Sequence, residues 1–171
     1  MAPIPEEPER LTAAQRASLE SRNADQDRTL AAMHVLEAAL SRGSFGRVDW
    51  WHQEVLAALG ALEDVTADEA KSANQPDSLL SDIAFRQPRL RNRVRGVRLQ
   101  YAQLHEGIRA LRRELEQEDD GESDVADTRQ RLGLLLTALR HHRARESDLI
   151  YEAYYDAFLR DVEDGRGTEL Y

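Results

Sequence analysis

The sequence predicts an all-α protein folded as an up-down-up-down four-helix bundle. Four long segments repeat apolar residues at alternating steps of three and four, which is the spacing of an amphipathic helix. The chain has only 9 Gly and 5 Pro, so few of its residues are available for turns. Its 171 residues are 41% hydrophobic and 32% charged, a composition typical of one globular domain.

The first helix is predicted near 12–42. Thr12 and Gln15 have the spacing of a capping box, and Gly43 is a helix-ending residue. Residues 1–11 contain no apolar stretch and are predicted to form a short disordered lead. The core stripe of this helix is Leu19, Asn23, Gln26, Leu30, Met33, Glu37 and Leu40.

The second helix is predicted from its cap, Asp49, to about residue 73, because Pro76 cannot continue it. The segment between Pro76 and Pro88 has room for one short helical turn across the end of the bundle. The core stripe of the second helix is Trp51, Val55, Leu59, Leu62 and Thr66.

The third helix begins at Pro88, a favourable first-turn residue, and ends before Gly121 and a block of acidic residues. The fourth is predicted from Ser123 to about 160, so the bundle spans 12–160 and 161–171 form a flexible tail. The third stripe is Leu90, Val94, Val97, Tyr101, Leu104, Ile108, Leu111 and Leu115, and the fourth is Leu132, Leu135, Leu139, His142, Glu146, Leu149 and Ala153.

The composition argues against several classes of function. The absence of Cys excludes disulfides, thiolate metal sites and a Cys nucleophile, and it favours the cytoplasm. A net charge of −9 at pH 7 predicts neither a nucleic-acid nor a membrane partner. No phosphate-binding glycine motif and no recognisable nucleophile occur, so an enzyme is not predicted.

Two surface features concern partners. Arginines crowd between residues 86 and 98, either as a solvated face that pairs with acidic neighbours or as a docking patch for an acidic partner. Aromatic residues cluster near the end of the fourth helix, where spare apolar surface favours a homodimer. These aromatic residues are Tyr151, Tyr154, Tyr155 and Phe158.

Polar residues at core positions are the most informative part of the sequence. His142 and Glu146 lie four residues apart, so both point inward from one face of the fourth helix. A buried carboxylate is costly unless it is paired, hydrogen-bonded or bound to a metal. The pair therefore predicts either two metal ligands or a hydrogen-bonded pair with each other or with an Arg.

The other helices also place polar residues near the core. Together they predict that one level of the core is polar. The first helix contributes Asn23, Gln26, His34 and Glu37, the second Glu69 and Asn74, and the third Tyr101 and His105.

The segment 139–158, LRHHRARESDLIYEAYYDAF, resembles the last helix of bacterial hemerythrin-like (HHE cation-binding) proteins, and the stretch PDSLLSDI is also similar to that group. The resemblance covers about 12–160. It implies a bundle that holds two irons, with a role in O₂, NO or redox sensing or in storage. The family ligands are a His on the first helix, His-x-x-x-Glu on the second, a His on the third and His-x-x-x-Glu on the fourth.

Only the fourth helix, with His142 and Glu146, matches that ligand set. The third-helix position falls on Tyr101, with His105 one turn away, and the first-helix position falls near Gln26, with His34 two turns further along. The second-helix pair falls near Ala70 and Asn74, which cannot replace a His or a carboxylate.

Two functions therefore remain open. In the first, iron or another divalent metal binds in a reduced site made of His142, Glu146, His105 and His34. In the second, the protein is a metal-free interaction or regulatory module. Its polar level is then closed by hydrogen bonds among Gln26, Asn74, Tyr101, His142 and Glu146.

Overall fold

The structure, a computed structural model, describes residues 10–43, 46–118 and 124–163. All the secondary structure in these ranges is helical, so the all-α prediction is confirmed. A 3₁₀ turn, Pro88–Leu90, leads into the fourth of six α-helices. These are α1 (Ala13–Ser41), α2 (Val48–Ala73), α3 (Leu79–Arg86), α4 (Arg91–Gln117), α5 (Val125–Ala153) and α6 (Tyr155–Glu163).

Several predicted segments lie wholly or partly outside the described residues. They are residues 1–9 of the predicted lead, 119–123 of the acidic linker and 164–171 of the predicted tail. Within the described ranges, no helix is long and apolar enough to span a bilayer.

Side-chain caps explain where three of the helices begin. Thr12 and Gln15 form the predicted capping box at the start of α1, with distances of 2.9 and 3.1 Å. The Ser78 hydroxyl accepts from the Ser81 amide, so the segment predicted as one turn forms the eight-residue helix α3. The Asp124 carboxylate caps α5 in the same way. By contrast, α2 begins at Val48 without a side-chain cap, one residue before the predicted cap Asp49.

The helix predicted over 123–160 is divided in the structure. Tyr154 has φ −117° and ψ 20°, which interrupts the helical backbone between α5 and α6. The helical backbone then continues to Glu163, past the predicted end at residue 160. No Gly or Pro marks this interruption in the sequence.

The four long helices contact one another in a closed order. α1 contacts α2, α2 contacts α4, α4 contacts α5, and α5 returns to contact α1. The short helix α3 lies across one end, where it contacts α1, α4 and α5.

The buried apolar side chains form two clusters, one toward each end of the long helices. The Trp51 cluster lies beside the connection between α1 and α2, and its members include Met33, Leu36, Trp51, Leu59, Leu62, Ile108, Leu132 and Leu139. The α3 cluster lies at the opposite end and includes Leu11, Leu80, Ile83, Val94, Val97, Tyr101, Leu149 and Tyr154.

The arginine-rich segment pairs with acidic side chains of neighbouring turns and helices. Arg86 forms an ion pair with Asp82, and Arg89 and Arg93 both contact Glu152. The interpretation of a solvated face that pairs with acidic neighbours therefore holds for these three arginines.

The aromatic residues near the end of α5 are only partly at the surface. Tyr151 and Tyr155 are 50% and 45% exposed, and their rings are in edge contact. Tyr154 and Phe158 are buried in the α3 cluster, where the Tyr154 hydroxyl donates to Asp82 Oδ2 at 2.6 Å. Two of the four aromatic residues that were predicted to form a surface therefore stabilise the fold instead.

Candidate functional site

A layer of buried polar side chains separates the two apolar clusters. On α5, Leu139 belongs to one cluster and Leu149 to the other, and His142 and Glu146 lie between them. We call this set the polar layer; its members are Gln26, Thr29, Glu69, Tyr101, His142 and Glu146. Each of the four long helices contributes at least one member, as the core-phase polar residues predict.

The Tyr101 hydroxyl joins two carboxylates of the polar layer. Its oxygen is 2.9 Å from Glu146 Oε1 and 3.1 Å from Glu69 Oε1. A hydroxyl has one hydrogen to donate, so both contacts are hydrogen bonds only when one carboxyl is protonated. Burial, together with the negative charge of Glu146, raises the pKa of Glu69, which favours the protonated form of Glu69.

Glu146 accepts hydrogen bonds from two neighbouring helices, α1 and α4. Its Oε2 accepts from Gln26 Nε2 at 2.7 Å and from Arg22 Nη2 at 3.2 Å, while Oε1 accepts from Tyr101. Glu146 is 2% exposed, and its Arg22 partner supplies the positive charge that a buried carboxylate requires. Gln26 and Tyr101, two residues of the network that the sequence predicts, thus both donate to Glu146.

Glu69 has a different environment. Its Oε2 accepts from the Thr29 hydroxyl at 2.6 Å, and its Oε1 faces Tyr101. Both of its partners are neutral, and no ion pair of Glu69 occurs within the described ranges. The position of Glu69 at core phase is visible in the sequence, but its lack of an ion-pair partner among the described residues is not.

His142 is turned away from Glu146 and toward α4. Its Nδ1 lies 3.2 Å from Gln100 Oε1, and its ring makes an edge contact with Tyr101 at a centroid distance of 4.2 Å. Its Nε2 is buried without a hydrogen-bond partner among the residues that the structure describes. Burial lowers the pKa of His142, so the ring stays neutral.

The remaining predicted residues lie outside the polar layer. His34 is exposed on α1, and Glu37 pairs with Arg140. His105 is half-buried on α4, and the structure gives its Nδ1 no partner within the described ranges. Asn74 was wrongly placed in the network: it is exposed at the end of α2, and its amide donates to the Ala70 carbonyl of its own helix.

The residues of the layer do not fit a diiron centre. Over the described ranges, no group of three or more His, Asp or Glu side chains is arranged to hold a metal ion. Both Glu146 oxygens already accept hydrogen bonds, and the Arg22 guanidinium contributes its positive charge where a metal would.

A cleft of about 330 Å³ leads from the surface to the polar layer. Its buried lining residues are Asp25, Glu69, Leu79, Leu80, Tyr101 and Glu146, and Arg22 lines it from α1. Its rim carries hydroxyl and amide groups from Ser18, Ser21, Ser72, Gln75 and Ser78.

Arg22 and Thr29 are the residues of this site that the sequence analysis missed. Arg22 precedes the stripe residue Asn23, and its long side chain reaches Glu146 from that flanking position. Thr29 precedes Leu30 in the same way. A pattern restricted to one stripe does not detect such flanking residues.

No protein-family model matches the sequence, and neither a curated protein nor a solved structure matches it.

Proposed function

We propose that this protein is a metal-free, hemerythrin-like helical bundle that acts as an interaction or regulatory module rather than as an enzyme. One observation carries the proposal: the Tyr101 hydroxyl lies between Glu69 and Glu146, with Arg22 and Gln26 on the far side of Glu146. Protein groups thus satisfy the carboxylate that the family resemblance assigns to a metal.

The cross-helix contacts support an up-down-up-down bundle. Between α1 and α5, Gln26 bonds Glu146 and Leu40 accepts from Arg129, so residue numbers rise on one helix as they fall on the other. This is the signature of antiparallel neighbours. The same reversal occurs in the three other pairs of neighbouring helices. The contacts are Thr29–Glu69 and Arg42–Glu54 for α1 and α2, Glu69–Tyr101 and Glu63–Arg112 for α2 and α4, and Tyr101–Glu146 and Glu114–Arg131 for α4 and α5.

Electrostatics favours the metal-free layer. A divalent ion at Glu146 would lie close to the Arg22 guanidinium, and like charges at such distances repel strongly away from bulk water. The ion would also have to displace the hydrogen bonds from Gln26 and Tyr101, whose loss leaves buried donors unsatisfied.

Elemental analysis tests the proposal. The protein is purified without chelator or nickel affinity, reconstituted with ferrous iron, and measured for metal content and visible absorbance. We expect no stoichiometric metal and no oxo-bridge absorption band. Two irons per chain would contradict the proposal. One metal per chain that disappears in the His142→Ala variant would also contradict it and would support the sensing or storage role that the resemblance implies.

We also propose that Tyr151 and Tyr155 contribute to a homodimer. The supporting observation is that both rings are about half exposed and adjacent, next to Leu159, which is 43% exposed. In sedimentation equilibrium, we expect a dimer that the Tyr155→Arg variant converts to a monomer. A monomeric native protein would contradict this proposal.

A further inference from the structure

The cleft above the polar layer contains one buried acid that has no ion pair within the described ranges, and one arginine with an unused donor. Its lining includes the exposed residues Ser21 and Gln75 and the buried carboxylate of Glu69, which is 5% exposed. Its volume of about 330 Å³ is at the small end of the range for ligand pockets. A small, polar molecule is therefore the class of ligand that fits.

Glu69 can accept a cation at the buried end of the cleft. Each carboxylate oxygen has two acceptor positions; Oε2 of Glu69 accepts from Thr29, and the contact with Tyr101 occupies one position on Oε1. A ligand ammonium would form the ion pair that Glu69 lacks within the described ranges, and it would stabilise the ionised form of Glu69 in place of the protonated form. Charge-assisted hydrogen bonds of this kind are stronger than neutral ones.

Arg22 supplies the opposite charge in the same cleft. Nη2 donates to Glu146 and to Ser147 Oγ, and Nη1 donates to Asn23 Oδ1. The Nε–H is buried and has no acceptor in the part of the chain that the structure describes. A buried donor without an acceptor carries a free-energy cost that a ligand carboxylate would remove.

We propose that this cleft binds a small zwitterion of the α-amino acid class, with its ammonium group on Glu69 and its carboxylate on Arg22. The inference rests on the proposed function, because a metal ion on Glu146 would displace Arg22 from its position beside the cleft. It identifies the module as a sensor of a small metabolite. Ser21 and Ser72 also line this cleft and offer hydroxyl groups to a polar ligand.

Thermal-shift measurement on the full chain with each proteinogenic amino acid tests the proposal first. The best ligand is then titrated by calorimetry beside two matched analogues: its N-acetyl derivative, which lacks the ammonium, and its decarboxylated amine. We expect the amino acid to bind and both analogues to bind at least about tenfold more weakly. No shift with any amino acid, or an analogue that binds equally well, would overturn the proposal.

Two variants assign the roles, each with a control on the same type of side chain. Glu69→Gln and Arg22→Met should each weaken binding by about tenfold or more, because each removes one charged partner. Glu63→Gln, also on α2, and Arg140→Met, on the surface of α5, should bind as the native protein does. Native-like affinity in the Glu69→Gln variant would overturn the assignment of the ammonium site.

Arg22→Met removes a partner of Glu146 and can unfold the protein, so Arg22→Lys is measured beside it. Lys keeps the positive charge but lacks the Nε–H, and a folded Arg22→Lys variant should also bind about tenfold more weakly. Metal analysis of the same samples separates the two proposals. Bound metal would refute the metal-free function. A metal-free protein that binds no amino acid would refute only the proposed ligand.

Discussion

Tyr101 connects the two buried carboxylates, and its chemistry determines the charge of the polar layer. Burial and the nearby carboxylates of Glu146 and Glu69 raise the pKa of Tyr101, so its hydroxyl keeps its hydrogen at neutral pH. The layer therefore has one hydroxyl donor for two acidic groups. Protonation of Glu69, which its raised pKa favours, makes both contacts favourable.

Removal of the Tyr101 hydroxyl tests this network. Tyr101→Phe keeps the ring in the α3 cluster but leaves Glu69 and Glu146 each without one partner. We expect a loss of about 1–3 kcal/mol in the free energy of unfolding, measured by urea denaturation. Tyr151→Phe is the control, because this ring is half exposed and should change stability by less than about 0.5 kcal/mol. Equal effects of the two substitutions would contradict the proposed network.

Glu69 should make stability depend on pH. The unfolded carboxyl releases its proton near its ordinary pKa of 4.5, whereas burial keeps the folded carboxyl protonated to higher pH. The folded state binds more protons in that interval, so stability falls as pH rises from 4.5 through the raised pKa. We expect Glu69→Gln, which resembles the protonated acid, to remove this fall in urea denaturation curves measured across pH. A variant that loses stability with pH as the native protein does would contradict the assignment.

Membership of the polar layer was predictable for residues at core positions of the helical repeat. It was not predictable for residues next to those positions. Gln26, Tyr101 and Glu146 fall on stripes that repeat at helical spacing, so the sequence places them in one network. Arg22 lies next to its stripe and joins the layer only through the reach of its side chain. Asn74 is at the correct phase, but α2 ends one residue before it, and phase has no meaning beyond the end of a helix.

Asp82 on α3 connects three elements at one end of the molecule. Its carboxylate accepts from Gln15 of α1 at 2.9 Å, from Tyr154 at the end of α5 at 2.6 Å, and from Arg86 on its own helix. Burial would raise the pKa of Asp82, but these hydrogen bonds outweigh it and hold the pKa below the ordinary value. The short helix is therefore a clamp between the first and the last long helix.

Removal of the Asp82 carboxylate should destabilise the protein. Asp82→Ala leaves the Tyr154 hydroxyl and the Gln15 amide without an acceptor, and we expect it to cost about 1–3 kcal/mol at neutral pH. Because the pKa of Asp82 is lowered in the fold, its contribution is lost as pH falls through that lowered pKa, and the cost of the variant should shrink in acid. Asp77→Ala, at an exposed neighbouring position, is the control for urea denaturation at both pH values.

Helix positions followed from the sequence more completely than helix ends did. Each core stripe predicted a long helix within about three residues of its observed start, because side-chain periodicity persists over many turns. The interruption at Tyr154 was missed, because no Gly or Pro marks it. Its backbone deviates where the buried Tyr154 hydroxyl bonds Asp82, a tertiary contact that a local pattern does not contain.

The whole molecule has two apolar clusters joined through one polar layer. Hydrogen bonds within the polar layer link α1, α2, α4 and α5. The layer borders both apolar clusters, so neither cluster can unfold without breaking these hydrogen bonds. We therefore expect one cooperative unfolding transition for the described helices.

Two spectroscopic signals can check this cooperativity. Trp51 is buried in the Trp51 cluster and Trp50 is its neighbour, so tryptophan emission reports one end of the molecule, while far-ultraviolet circular dichroism reports all the helices. We expect the two urea transitions to coincide in the native protein. Leu149→Ala, in the opposite cluster, should shift both midpoints together, at a cost of about 2–5 kcal/mol. Separate midpoints would show that the clusters unfold independently.

Under the proposed metal-free function, Arg22 also affects how the protein matures. A metal centre has to be loaded after synthesis, and until then its ligands are buried anions without a counter-ion. Here the counter-ion of Glu146 is part of the polypeptide, so it arrives with the first helix and cannot be removed by a chelator. Under the proposed metal-free function the protein has no apo form, and we expect cells starved of iron to accumulate it in the same yield and with the same melting temperature as iron-replete cells.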